Sequence, residues 1–215
     1  MKSLLSDKNC KLIILCNKQK IYINFNNNVM LHVRNESVII QSDKLCIWCD
    51  KMRIRKSTEK DVPRIMEIYA YARCFMAEHG NPNQWGPTNW PPEDLIYSDI
   101  ASGNSYVCID EDENIIGTFF YNFGEDIEET YRVIENGSWR DNSAFGVVHR
   151  LAGDGSQMGI GSFCLNWAFE QCGHLKIDTH GDNTVMQNLL SKLGFEKRGI
   201  IYVIEDSYPR FAYEK

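Results

Sequence analysis

From Met52 onward the apolar positions switch repeatedly between a period of two and a period of three to four, the mark of strands alternating with helices. Met52-Arg53-Ile54-Arg55-Lys56 alternates like a strand, and Ser57-Thr58 followed by the acidic stretch 59–61 supplies cap and first-turn residues for a helix. In that helix Ile65, Ile68, Tyr69, Ala72, Phe75 and Met76 recur at three and four, which predicts one buried stripe ending before His79-Gly80-Asn81-Pro82. Residues 84–92, rich in Trp and Pro, read as a loop, and 93–101 as a second short helix closed by Gly103. The β-rich runs 105–109 and 115–123 flank the turn 111–114 and form an antiparallel hairpin. After a polar stretch, 124–142, with one helical turn near 130–134, the pattern predicts a strand at 145–152, a helix at 160–172, a strand at 174–179, a helix at 184–193, and closing strands at 199–204 and 210–213. Strand, helix, strand, helix, strand is an α/β fold on a mixed sheet.

The first 51 residues differ. Short apolar runs at 12–15, 21–25 and 37–40, separated by asparagine-rich breaks such as 26–28, read as β-hairpin material with no helix to pack against. They form an accessory sheet, a marginal appendage, or an extension upstream of a start at Met52. Charge divides the chain at the same place: 8 basic and 4 acidic side chains lie in 1–51, within a total of 23 basic and 29 acidic and a net charge of −6. A chain with this balance lacks the basic footprint that binding a phosphate backbone requires, so nucleic acid is not an expected partner. Nor does the sequence hold an apolar run long enough for a membrane span. Eight cysteines without regular spacing, in a chain of 215 residues with no signal-like opening, point to free thiols in a reducing cytoplasm. Cys46-Ile47-Trp48-Cys49 is half of a zinc or redox motif, but Cys10 and Cys16 make no matching half, so no metal is expected.

Candidate chemistry concentrates between the strand at 145–152 and the helix at 160–172. The intervening Gly153-Asp154-Gly155-Ser156-Gln157-Met158-Gly159-Ile160-Gly161-Ser162 is a glycine-rich strand-to-helix turn, where backbone can approach a ligand and unpaired helix amides can face a diphosphate. It is not a dinucleotide fingerprint, because Cys164 stands where the third glycine belongs.

With Gly159-Ile160-Gly161-Ser162, and with Asn183 ten residues before Leu193-Gly194-Phe195, residues 52–215 resemble the GNAT superfamily of acetyl-CoA-dependent N-acetyltransferases. The resemblance implies a splayed mixed sheet flanked by helices (an α/β, or α+β, mixed-sheet domain) behind a short β-rich N-terminal extension. It implies acetyl-CoA as co-substrate, and direct transfer of its acetyl group to a small-molecule amine or amino-acid-like acceptor. A homodimer is admitted. Leu151 and nearby backbone would pair with the pantetheine arm; Ser156, Gln157, Met158, Gly159, Ile160, Gly161 and Ser162 would wrap the pyrophosphate; Asn183 would hydrogen-bond near the thioester. The loop holding Gln84 and Trp85 would cover the acceptor. Two positions depart from the family pattern: Ser156 stands where Gln or Arg is usual, and Leu190 where a tyrosine often protonates the leaving thiolate.

Three residues are candidates for moving the proton. His149, at the end of the cofactor strand, reads either as a base or as a packed core histidine. His180, in Asp178-Thr179-His180-Gly181-Asp182-Asn183 just past a strand end, reads as a relay oriented by Asp178 or Asp182, or as part of a turn in which Asp182 and Asn183 cap the next helix. Tyr202 is a third acid candidate or a packed aromatic. The run Glu125-Asp126-Ile127-Glu128-Glu129 reads as a solvated face or as an attractor of a cationic amine. An acyl-CoA sensor that keeps the cradle without chemistry is the alternative to an enzyme. A chain starting at Met52 is expected to unfold cooperatively and to bind coenzyme A like the full chain; insolubility or loss of the thermal transition would place 1–51 in the core.

Overall fold

The computed structural model describes residues 12–16, 19–24, 28–33, 36–41, 52–203 and 208–215, the first four stretches as backbone alone. The chain divides into two compact units, residues 1–50 and 51–215. In the first, β1 (Leu12–Cys16), β2 (Gln19–Asn24), β3 (Asn28–Val33) and β4 (Glu36–Gln41) form an antiparallel meander in chain order. The strand β3 was missed by the apolar-run reading, which took 26–28 as a break although Asn28 opens the strand and pairs with Asn24. The Cys46–Cys49 pair lies outside the described residues.

The second unit is a seven-stranded sheet in the order β10-β11-β9-β8-β7-β6-β5, built from β5 (Arg53–Lys56), β6 (Ser105–Ile109), β7 (Ile115–Gly124), β8 (Phe145–Gly153), β9 (Leu175–His180), β10 (Glu196–Tyr202) and β11 (Pro209–Glu214). Every neighbouring pair is antiparallel except β8 and β9. Those two are joined by the crossover helix α3 (Ile160–Cys172), as a parallel pair requires. The closing strand β10 begins three residues before its predicted start; Ile204, its predicted end, lies outside the described residues.

Alternation along the strands sorts the core. Cys108, Phe119, Tyr121, Val148 and Ile177 pack under α3 and α4 (Thr184–Lys192) on one face. Val107, Ile109 and Ala152 meet Ile65, Ile68, Tyr69 and Ile96 of α1 (Val62–Glu78) and α2 (Glu93–Ala101) on the other. Beside them the polar stretch 124–142, with a single 3-10 turn at Glu129–Tyr131, lays Tyr131, Ile134 and Trp139 over Phe145, Val147, Ile201 and Ala212. A run without helical periodicity thus covers the half of that face which α1 and α2 leave open. Helix α1 starts as the capping residues predict: Asp61 accepts from the Thr58 amide (2.7 Å) and hydroxyl and is paired with Arg55. Phe75 and Met76 leave the predicted buried stripe; both are half-buried and line a cleft.

One fully buried carboxylate ties these parts together where β8 and β9 still touch. Glu214 accepts from the Arg140 amide (2.8 Å) and from His174 Nε2 (2.7 Å), and Arg198 Nε lies 2.9 Å away. It joins β11 and β10 to the covering stretch and to the start of β9. Replacing Glu214 by Ala removes the acceptor that a half-buried guanidinium, a half-buried imidazole and a backbone amide share, and should cost about 3–5 kcal/mol in chemical denaturation; a loss under about 1 kcal/mol would show that the carboxylate is not what joins them.

Candidate active site

The parallel pairing of β8 and β9 lasts for two residue pairs, Gly146↔Leu175 and Val147↔Lys176, and then the strands part. The gap opens into a cleft of about 1200 Å3, walled by 148–153 and 177–179 and roofed by α1, the 79–92 loop and the turn 155–161. Strand β8 is also distorted there. Its register against β7 steps between Thr118↔Ala152 and Phe120↔His149, so Arg150 and Leu151 together oppose Phe119. Arg150 occupies the left-handed region at φ 54°, a strained conformation for a residue with a side chain. Three contacts hold it: Tyr69 Oη donates to its carbonyl (3.2 Å), its guanidinium donates to Asp99 (2.6 Å), and its cation stands over the Phe120 ring at 4.8 Å. Burial pushes the Tyr69 phenol up to about 12, so it stays a donor.

The glycine-rich turn forms the cleft's outer end. Gly159 caps α3 in the left-handed region (φ 91°), which only glycine enters without strain, and this N-cap makes no side-chain hydrogen bond to the first helix amides. A Cβ at Gly155 would run into the Tyr71 hydroxyl. The Ser156 amide donates to Asp154 (2.9 Å), whose other oxygen is paired with Arg64 at 2.7 Å, fixing the path of the turn. Leu151, Ser156, Gln157, Met158, Gly159, Ile160, Gly161 and Asn183 all line the cleft, and Met158 is 97% exposed; Ser162 sits half-buried in the first turn of α3.

At the inner end, just past the parting point, His149 and Asp178 face each other, with Nδ1 and Oδ1 3.8 Å apart. His149 Nε2 is 2.8 Å from Glu128, which also accepts from the Thr130 hydroxyl at 2.7 Å. Burial by itself would raise the Glu128 carboxyl, but the His149 hydrogen bond and charge, with Thr130, outweigh it and hold the group down at about 2. The carboxylate is therefore ionised at neutral pH and orients the imbedded imidazole through Nε2, which leaves Nδ1 toward the cleft. Asp178 in turn accepts from Tyr131 Oη (2.8 Å), and Arg210 Nε stands at 4.0 Å. Burial, then the Asp178 charge, pushes the Tyr131 phenol well up, so it remains the donor of that bond.

Of the three proton candidates, His149 is the one placed on the cleft wall. His180 is buried, accepts from the Asp182 amide at Nδ1 (3.1 Å) and faces the Tyr208 ring at 5.6 Å. Tyr202 is 47% exposed with its hydroxyl 3.4 Å from Glu135. Neither is among the described residues that line the cleft. Leu190 is fully buried in the core, and α4 turns Val185, Met186 and Leu189 to the cleft, so this helix brings no hydroxyl to the site. Gln84 and Asn183 meet: Gln84 Oε1 accepts from Asn183 Nδ2 (3.1 Å) and from Asn81 Nδ2 (2.6 Å), while Asn183 Oδ1 caps α4 through the Met186 amide. Trp85 packs edge-on against Tyr69 with ring centroids 5.8 Å apart.

Tyr131 and Arg150 were not singled out by sequence; Asp178 was named only as a possible partner of His180, and Glu128 only as one member of an acidic run. In the acidic run, Asp126 and Glu129 pair with Arg132 at the surface while Glu128 alone turns inward, and nothing in the local pattern separates it from its neighbours. Among the described residues no group of three or more His, Cys, Asp or Glu could hold a metal, and no helix is long and apolar enough to cross a membrane.

No protein-family model and no curated protein matches the sequence. Solved structures do match. A GNAT-family acetyltransferase from Streptococcus agalactiae is 29% identical with a TM-score of 0.69, the alignment covering 76% of this chain and 94% of that one. One from Listeria monocytogenes is 12% identical with a TM-score of 0.56, covering 86% and 98%. A phosphinothricin acetyltransferase from Sinorhizobium meliloti, solved in complex with AcCoA, is 16% identical with a TM-score of 0.51, covering 77% and 88%. The parted strands, the glycine turn and these likenesses converge on one conclusion: the chain carries the acetyltransferase fold of the GNAT superfamily, a fold that supports acyl transfer.

Proposed function

We propose that the protein is an N-acetyltransferase that moves the acetyl group of acetyl-CoA directly to an amine. The observation that carries this reading is the single cleft with a backbone-amide cradle at one end and an oriented imidazole between two carboxylates at the other. The diphosphate of coenzyme A fits the turn 155–161, where helix amides and the positive end of the α3 dipole face the cleft. The pantetheine arm then runs between the parted strands, where β8 and β9 leave backbone groups unpaired by each other. An ammonium drawn to Asp178 and Glu128 meets His149 Nδ1, which takes its proton. The neutral nitrogen attacks the thioester carbonyl carbon and the C–S bond breaks; the nitrogen then gives its surplus proton to solvent, leaving the neutral amide, and the departing thiolate takes a proton from solvent. Glu128 keeps the imidazole in the tautomer and orientation that this step needs, in the way a carboxylate orients a catalytic histidine elsewhere.

A second reading, an acyl-CoA-binding domain without chemistry, is favoured by the apolar cleft face of α4 and by the burial of Leu190. Turnover separates the two. With acetyl-CoA and a panel of amines, acetyl-dependent thiol release is expected, and His149→Gln should lower kcat by about a hundredfold or more while coenzyme A affinity is preserved. Wild-type turnover in that variant would remove His149 as the proton acceptor, and coenzyme A binding without turnover on any amine would favour the second reading.

The donor site has its own test. In Gly159→Val the left-handed cap is strained, and in Gly161→Leu the added side chain enters the cleft where a Cβ already lies 3.0 Å from Leu189 Cδ2. Both should bind coenzyme A at least tenfold more weakly by calorimetry with the fold retained by circular dichroism. Unchanged affinity in both would overturn the assignment of the turn.

A further inference from the structure

Helix α1 buries Ile65, Ile68, Tyr69 and Ala72, and its adjoining face carries a second stripe that the core does not use. Tyr71, Phe75 and His79 follow one another at intervals of four, so they stack along one side of the helix. The Tyr71 and Phe75 rings are 6.3 Å apart at 27°, and Phe75 and His79 are 3.9 Å apart at 22°, with His79 Nδ1 2.7 Å from the Phe75 carbonyl. All three rings line the cleft, and Tyr71 is 44% exposed. Trp85 lines the same cleft, and its edge-on partner Tyr69 bonds the carbonyl of Arg150, next to His149. Flat rings held nearly parallel on the wall of an open cleft expose apolar area at a cost that a polar helix face would avoid. The far wall sets two carboxylates, Glu128 and Asp178, on either side of His149; of the cations on that wall, Arg150 is paired with Asp99 and Arg210 Nε stands 4.0 Å from Asp178.

Aromatic surface beside paired carboxylates is complementary to a flat apolar body that ends in a cation. Resting on the transferase reading above, we propose that the acceptor is a primary amine carried on an aromatic body, the ring lying against the Phe75–Trp85 wall and the ammonium between His149 and Asp178. An aliphatic polyamine would leave the rings without a partner, and an amino-acid zwitterion would bring a carboxylate against Glu128 and Asp178.

The test compares 2-phenylethylamine with its saturated counterpart 2-cyclohexylethylamine, and with spermidine and glutamate, as acceptors for the full chain and for Phe75→Leu. Leucine keeps apolar volume on α1 but removes the flat ring. The expected result is a kcat/KM for 2-phenylethylamine about threefold to tenfold above that for the saturated amine, the range that aromatic pairing supplies beyond area burial, and an even greater margin over spermidine and glutamate. In Phe75→Leu the preference for the aromatic amine should disappear, with coenzyme A affinity unchanged. Calorimetric binding of 2-phenylethylamine to the protein saturated with coenzyme A reads the same preference without turnover. If spermidine, glutamate or the saturated amine is the better acceptor, the proposal falls while the transferase reading stands. If the aromatic amine binds in a Phe75-dependent manner but no amine is acetylated, the transferase reading falls and the aromatic amine site stands. Weaker coenzyme A binding in Phe75→Leu would assign the stripe to the cofactor arm and overturn the proposal.

Discussion

The parting of β8 and β9 after two paired residues is the constraint on which the rest of the domain depends. A parallel pair running its full length would satisfy its backbone groups internally and close the sheet; here two strands turn away from each other in mid-sheet and open a cleft between them. Each must then be held by its other neighbour. Strand β9 is held by β11 over five residue pairs, and β8 by β7 on both sides of its bulge. The glycine turn and α3 follow directly from where β8 ends, so the amide cradle and the parted strands share one cleft by construction.

Holding the strands apart takes buried charge, and the structure satisfies it in pairs. Glu214 anchors the closed end of the gap with the His174 imidazole, the Arg198 guanidinium and a backbone amide. Asp99 and Arg150 do the same at the bulge; burial pushes the Asp99 carboxyl up, and the Arg150 guanidinium opposes that shift. At the open end the arrangement differs, because His149 lies against one carboxylate at 2.8 Å and short of the other at 3.8 Å. The longer of these distances is too great for a hydrogen bond and leaves room for a polar atom of a bound molecule. A core built for stability alone would close such a gap, since a half-satisfied polar network costs more than an apolar one.

The stretch 124–142 shows how little regular structure a functional wall needs. It has one 3-10 turn, yet it contributes Glu128 and Thr130 to the cleft and Tyr131 to Asp178, and its buried Tyr131 and half-buried Trp139 pack over the sheet. Trp139 donates its indole N–H to the Tyr131 carbonyl at 2.8 Å, and Tyr131 stacks near Phe145 at 6.2 Å. A few aromatic anchors of this kind fix a polar segment without helical or strand periodicity.

Local pattern by itself determined the elements of residues 52–215: the period of the apolar positions placed four helices and seven strands within a few residues of their ends, and the glycines of 153–161 marked the turn that only such residues can make. Periodicity works there because a helix or strand must bury one face whatever else surrounds it. It says nothing of which apolar face is core and which is cleft, and so Phe75 and Met76 read as buried when they line a wall. Nor does it separate Glu128 from Asp126 and Glu129, or show that His149 in β8 and Asp178 in β9, 29 positions apart, stand across a gap. Those facts arise from where β8 stops pairing with β9, a property of two strands, a crossover helix and a bulge acting together, and only the tertiary structure decides it.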